Sequence, residues 1–362
     1  MNEKDLFEIK TDKPDADIYA GAKKRFDDLA KPIDGFGCFE EMICKIASVQ
    51  KRLIPDISKR ALIVMCADNG VVSEGVSQTD GGVTSKVAHL LGEKRSTVCV
   101  MARDCHVKVV PIDIGINTHE KFAGVLDKKI APGSGNIARG DAMTKEQCLA
   151  AIKTGIDIVR QCADEGFGII ATGEMGIGNT TSSAALLCAL SGDDAADVAG
   201  RGAGLSDEGL NRKIKAIKKA LNIHGYEGKA PGRITPDDAF SALCAVGGLD
   251  IAGLCGVYIG GAIYHIPVVI DGVISATSAL AASYMVPGCK DVMIASHKGK
   301  EGGTNRALSL LGLRAVIDAD MALGEGTGAV MLFPIIDMVM SVYTKGTGFD
   351  TAGIEKYERF VV

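Results

Sequence analysis

The chain has 362 residues, of which 47% are hydrophobic and 45 are glycine, and a formal net charge of −5. This length fits one large domain, alone or with a smaller attachment, and the composition fits an α/β enzyme with many tight turns. The acidic balance, with no densely basic stretch, argues against a nucleic-acid partner.

The first residues, Met1-Asn2-Glu3-Lys4-Asp5, show no apolar signal region, so a cytoplasmic location is expected. Residues 1–58 read as helices and loops, with 3.6-residue apolar spacing over 19–29 and 39–52. Residues 61–67 form the first buried strand and run into Asp68-Asn69-Gly70. Polar groups then stand at a C-terminal strand end, where open α/β sheets bind ligands. A polar loop, 73–82, and a helix, 83–91, follow. Further strands are expected at 97–101, 107–112, 168–171, 268–270 and 292–295, with amphipathic helices at 145–164, 207–221 and 236–246. Residues 243–270 carry Asp250, His265 and repeated glycines, which reads as helix, turn and strand and not as a membrane span. Residues 328–344 read as an apolar helix broken at Pro334. Short apolar strands alternating with helices predict an α/β fold with a doubly wound, mostly parallel sheet.

Eleven cysteines are scattered in apolar company without a CxxC pair, as expected of reduced core thiols. His and Cys do not cluster at ligand spacing, so no metal site is expected.

Gly173-Glu174-Met175-Gly176-Ile177-Gly178-Asn179-Thr180-Thr181 separates an apolar run, 167–171, from an Ala-rich segment, 182–190. A glycine-rich turn between strand and helix aims backbone N–H groups and the positive helix end at one spot, which suits a phosphate. The stretch lacks the third glycine of the dinucleotide fingerprint and the Gly-Lys-Ser/Thr of a P-loop. A plain tight turn has the same spacing. Glu174 favours the ligand reading, because a carboxylate beside a phosphate is repelled unless it has a polar task such as holding a ribose hydroxyl.

Other polar clusters also sit after strands or open helices. Asp68-Asn69-Gly70 precedes Glu74-Gly75-Val76-Ser77, and Gly133-Ser134-Gly135-Asn136-Ile137 is a second glycine-rich loop. Gly200-Arg201-Gly202-Ala203-Gly204 with Lys213 offers donors and a cation, although a solvated helix face explains Lys213 as well. Asp271-Gly272 and Ser296-His297 end strands. Asp271 reads as a ligand or an N-cap, and His297 as an acid–base group or a structural histidine. Leu323-Gly324-Glu325-Gly326-Thr327-Gly328 sets a carboxylate between glycines before an apolar helix, where it is a general base or an acid meeting the helix dipole. These residues point to a phosphorylated small-molecule site with two candidate glutamates and leave the reaction open.

Taken in order, these motifs closely resemble the nicotinate-nucleotide:dimethylbenzimidazole phosphoribosyltransferase family of cobamide biosynthesis. The likeness spans 63–338 and also includes Asp113-Ile114-Gly115 and Val246-Gly247-Gly248-Leu249-Asp250. It implies transfer of phosphoribose from nicotinate mononucleotide to a cobamide lower-ligand base, releasing nicotinate and leaving an α-riboside 5′-phosphate. Glu325 would be the general base, with Glu174 the second catalytic residue. Gly176, Gly178, Asn179, Thr180, Gly202, Lys213, Asp271 and Gly272 would hold the nucleotide. Ser77, Gln78, Thr79, Lys86 and Leu323 would face the acceptor. No metal or other cofactor is implied, because the leaving group is already a cationic pyridinium. The resemblance also implies a catalytic α/β domain of about six strands over 59–326 and a smaller helical domain from 1–58 plus 327–362. No membrane is involved, and the chain is expected to dimerise with itself or with a homologous subunit.

The departures fall on the acceptor side. Gln78-Thr79-Asp80-Gly81-Gly82 stands where the family has Ala or Ser, an aromatic residue and Pro, and Lys86 stands where Gln is common. Gly299, Thr304 and Asn69 also differ. An aromatic platform stacks a flat bicyclic base, and Thr79 provides none. A branch of the family uses phenol or p-cresol and works as paired subunits, so the acceptor stays open between dimethylbenzimidazole and a phenolic. Two other readings are a non-catalytic nucleotide-binding subunit supporting an active homologue, and a nucleotide hydrolase.

Overall fold

The computed structural model describes residues 1–228 and 233–359. Six parallel strands form the central sheet in the order β3-β2-β1-β4-β5-β6. They are β1 (Arg60–Ala67), β2 (Val107–Gly115), β3 (Leu126–Asp127), β4 (Ile169–Met175), β5 (Val268–Ile270) and β6 (Met293–Ala295). All eight residues of β1 are buried. Its alternate side chains enter two separate cores, Ala61, Ile63 and Met65 on one face and Leu62, Val64 and Cys66 on the other. A parallel sheet covered on both faces demands this continuous apolar run. The expected doubly wound α/β fold is the observed one.

One face carries helices Lys145–Asp164, Leu249–Ile263 and Val273–Met285. The other carries helices Cys38–Gln50, Thr97–Asp104 and Thr327–Lys345, so both chain ends meet there. The Phe26 and Tyr343 rings lie 4.7 Å apart, and Arg25 Nε donates to the Tyr343 carbonyl at 2.9 Å. Helix Thr327–Lys345 is apolar enough to cross a bilayer, yet half of it is buried within the protein.

Two local expectations are corrected, and one element is new. Residues 97–101 are helical, not a strand: Ser96 caps the first turn, and Val98, Cys99 and Ala102 bury one helical face. Pro334 does not break the last long helix, which continues to Lys345. The proline lies on the exposed side, while Val330, Phe333 and Ile336 pack inward. A small second sheet pairs β7 (His297–Gly299) with β8 (Ile317–Met321) in parallel, and its charged strands had no apolar signal in the sequence. All eleven cysteines are free and nine are buried.

Helices Lys145–Asp164 and Leu249–Ile263 pack backbone to backbone. A Cβ on Gly256 would overlap the Ile152 carbonyl oxygen and lie 2.8 Å from its carbon. Gly256→Ala should therefore lower the unfolding free energy by about 1–3 kcal/mol through overpacking. Urea denaturation followed by circular dichroism measures it, and an unchanged midpoint would show that the helices do not meet this closely.

Candidate active site

The sheet order reverses between β1 and β4, and at such a switch point the loops beyond neighbouring strands diverge to leave a crevice. A cavity of ≈ 320 Å³ opens there, lined from the loops after β4, β5 and β6 and from segment Met321–Glu325. Two helices, Asn179–Ser191 and Val273–Met285, begin at its wall with glycine N-caps and no side-chain capping bond. Their first-turn N–H groups and dipoles present partial positive charge to the cavity.

Glu174, at the end of β4, is buried beneath this opening. Asn179 Nδ2 donates both to Glu174 Oε2 and, at 2.9 Å, to Asp250 Oδ2. Burial pushes the Glu174 carboxyl up to about 8, reinforced by the negative charges of Asp250, Asp271 and Glu325 and opposed by the Asn179 bond. Burial likewise pushes Asp250 up to about 6.

Glu325 reaches the site on an unusual backbone. Gly324, Glu325 and Gly326 all have positive φ, at 87°, 58° and 90°. A non-glycine residue in this region costs on the order of 1–3 kcal/mol and persists only where its surroundings enforce it. Here they do. The Asp271 carboxylate accepts from the Gly326, Gly328 and Ala329 N–H groups at 3.1, 2.9 and 3.1 Å. A Cβ on Gly324 would lie 2.7 Å from Glu174 Oε1, so glycine lets the loop cross directly over that carboxyl. Glu325 Oε2 accepts from the Val98 N–H at 3.3 Å, in the first turn of helix Thr97–Asp104. The helix misread as a strand thus orients Glu325.

Lys213 is fully buried behind the wall, donating to Thr180 Oγ1 and the Gly200 carbonyl, each at 2.9 Å. Burial lowers its amine to about 8, partly offset by the Glu301 charge. Ser296 Oγ donates to the Ile270 carbonyl at 2.6 Å and therefore accepts from His297 Nδ1, 2.9 Å away, when the ring is neutral. This leaves Nε2 as the ring's acceptor.

Of the residues expected at the site, Glu174, Gly176, Gly178, Asn179, Thr180, Gly202, Asp271, Gly272, Ser77, Gln78, Leu323 and Glu325 line the cavity. Lys213 stands one layer behind it, and Asp271 spends both oxygens on the Glu325 loop. Thr79 and Lys86 are exposed and outside the lining. Val83 and Val87 line it instead, one helical turn apart, a spacing readable beforehand once that helix was placed. His297 and Glu301 also line it. Among the described residues, one acid group is close enough to hold a metal ion, Asp27, Asp34 and Glu40. Lys23, Lys31 and Arg359 already pair with it at the joined chain ends.

A phosphoribosyltransferase family model matches residues 11–354. The chain belongs to this family. It is 40% identical to a nicotinate-nucleotide--dimethylbenzimidazole phosphoribosyltransferase of Acetivibrio thermocellus over 93% of each chain. The corresponding enzyme of Ruminiclostridium cellulolyticum is 39% identical over 93% of this chain and 94% of its own. Among solved structures, CobT from Thermus thermophilus superposes with a TM-score of 0.87 at 35% identity, covering 94% of this chain and all of that one. Family membership makes the protein a pentosyl-transferring enzyme.

The buried Glu174 gives this phosphoribosyltransferase a pH signature. Between about 4.5 and 8 the unfolded chain has ionised Glu174 while the folded protein keeps its proton, so stability present below that window is lost as pH rises through it. Glu174→Gln should flatten this decline by on the order of a few kcal/mol, with Asp250 supplying a remaining slope of the same sign. Urea-unfolding free energies from pH 5 to 8 test it; identical slopes in both proteins would contradict a protonated Glu174.

Proposed function

We propose that this phosphoribosyltransferase moves phosphoribose from nicotinate mononucleotide to a flat aromatic acceptor, releasing nicotinate and an α-riboside 5′-phosphate. The observation that carries the reading is the left-handed Gly324-Glu325-Gly326 segment, which places a strained carboxylate over a second, buried one at the mouth of two uncapped helices. The donor phosphate sits at the Gly176–Thr180 turn and the Gly202 N–H, with the Lys213 charge behind. Glu174, protonated at neutral pH, donates a hydrogen bond to a ribose hydroxyl. Glu325 takes the acceptor proton as the acceptor attacks the anomeric carbon. The bond to nicotinate breaks with its electrons going to the pyridinium nitrogen, which neutralises that ring. Holding both reactants against each other supplies much of the acceleration.

Dimethylbenzimidazole is the acceptor printed in the names of the relatives and is our first reading. A phenolic acceptor is the second, favoured by one observation. No Phe, Tyr or Trp lines the cavity among the described residues, and its apolar lining is aliphatic or Met, including Val76, Val83, Val87, Leu205, Ile274 and Leu323. We place the reaction in the cytoplasm. We also take the helices of residues 1–58 and 327–362 as the smaller unit beside a catalytic part, 59–326. A dimer, of like chains or with a homologous subunit, is supported by the exposed apolar side chains Val100, Leu323, Met331 and Met338.

Glu325→Gln should lower turnover by about 10²–10⁴-fold, the usual worth of a general base, while nicotinate mononucleotide still binds. Steady-state rates and calorimetric donor binding measure the two effects. Full activity in the variant would remove Glu325 from the mechanism, and a competition between dimethylbenzimidazole and phenol would decide the acceptor.

A further inference from the structure

One carboxylate in the cavity wall has no part in this chemistry. Glu301 lies on the connector between β7 and helix Gly302–Leu311, and its Oε1 accepts from the Gly202 N–H at 2.5 Å. A Cβ on Gly200 would overlap the Glu301 carboxyl group, so the side chain lies flat on the Gly200–Gly202 turn. Lys213 Nζ lies against the same turn, holding Thr180 Oγ1 and the Gly200 carbonyl. A Cβ on Gly202 would be 3.1 Å from Thr180 Oγ1 and 3.8 Å from Lys213 Nζ. Glu301 has no Lys or Arg ion-pair partner among the described residues. Its charge is balanced by a backbone N–H and by a buried amine one layer away. A carboxylate therefore rests on a backbone N–H beside a buried cation, a setting suited to an anion.

A phosphate seated on these donors would meet Glu301 directly. One N–H cannot serve both acceptors fully, and two anions in contact repel. We propose that Glu301 is a displaceable carboxylate that fills the anion cradle until the donor's phosphate replaces it, and that it thereby sets donor affinity. The inference rests on the phosphoribosyl-donor reading above. Without donor, Glu301 satisfies the Gly202 N–H and faces the Lys213 charge. The phosphate brings more charge and three strong acceptor oxygens, and so outcompetes a single carboxylate. Glu301 is only half-buried and lines the cavity, so the side chain has open space to move into.

The test is calorimetric binding of inorganic phosphate to the full chain and to Glu301→Gln and Glu301→Ala. Removing the resident carboxylate should tighten phosphate binding by about tenfold in the alanine variant, the scale of one charge-assisted hydrogen bond. The glutamine variant should show a smaller gain, since its amide oxygen still reaches the Gly202 N–H without the charge. The KM for nicotinate mononucleotide should fall in the same order. A residue that merely shapes the turn would give the opposite sign. Phosphate binding that is unchanged or weaker in both variants would overturn the proposal. Phosphate binding is read without turnover, so failure of the wild-type chain to form product would count against the donor reading and not against the cradle.

Discussion

Three backbone N–H groups, from Gly326, Gly328 and Ala329, converge on the Asp271 carboxylate. This single cap ties the end of a central strand to the first turn of the last long helix. It is the constraint on which the active site depends. With the Val98 N–H on Glu325 and the Thr327 bonds to the Gly324 carbonyl, it holds Gly324, Glu325 and Gly326 in consecutive left-handed conformations and fixes Glu325 above Glu174. The bond joins residues more than fifty positions apart, so the site can assemble only when the α/β sheet and the C-terminal helix have packed together.

Around that cap the protein collects negative charge at a place built to receive more. Glu174, Asp250, Asp271 and Glu325 approach one another, and the response to burial is to keep Glu174 protonated. Helix N-termini and the sequestered Lys213 supply the opposing charge. A donor phosphate would complete the balance. Glu301 provisionally does so in its place, which is why an anion-binding turn already holds a carboxylate.

Much of the fold was legible in the sequence because parallel strands buried on both faces leave continuous apolar runs, as at residues 61–67 and 268–270. The glycine turn at 173–178 and the Gly-Glu-Gly segment at 324–326 were legible because positive φ at Gly178, Gly324 and Gly326 and close backbone approach at Gly173 and Gly176 call for glycine. The strand reading of 97–101 failed where β-branched residues sit on a helix whose signal is its Ser96 cap and its burial pattern. The charged β7–β8 pair carries no apolar pattern. Burial of Lys213 was unreadable because its helix is charged elsewhere and its partner, the Gly200 carbonyl, belongs to the backbone. Asp271 was placed among ligand-holding residues, and that it serves the Glu325 loop could emerge only from tertiary structure. The exposed positions of Thr79 and Lys86 depend on how loop 77–81 meets the helix after it, which spacing does not encode.

The most direct test is the release of nicotinate from nicotinate mononucleotide, followed with and without dimethylbenzimidazole. Transfer governed by Glu325 acting on an acceptor predicts release that depends on the acceptor and matches the α-riboside 5′-phosphate formed, mole for mole. Release at the same rate with no acceptor present would contradict it and make the protein a nucleotide hydrolase built on a transferase fold.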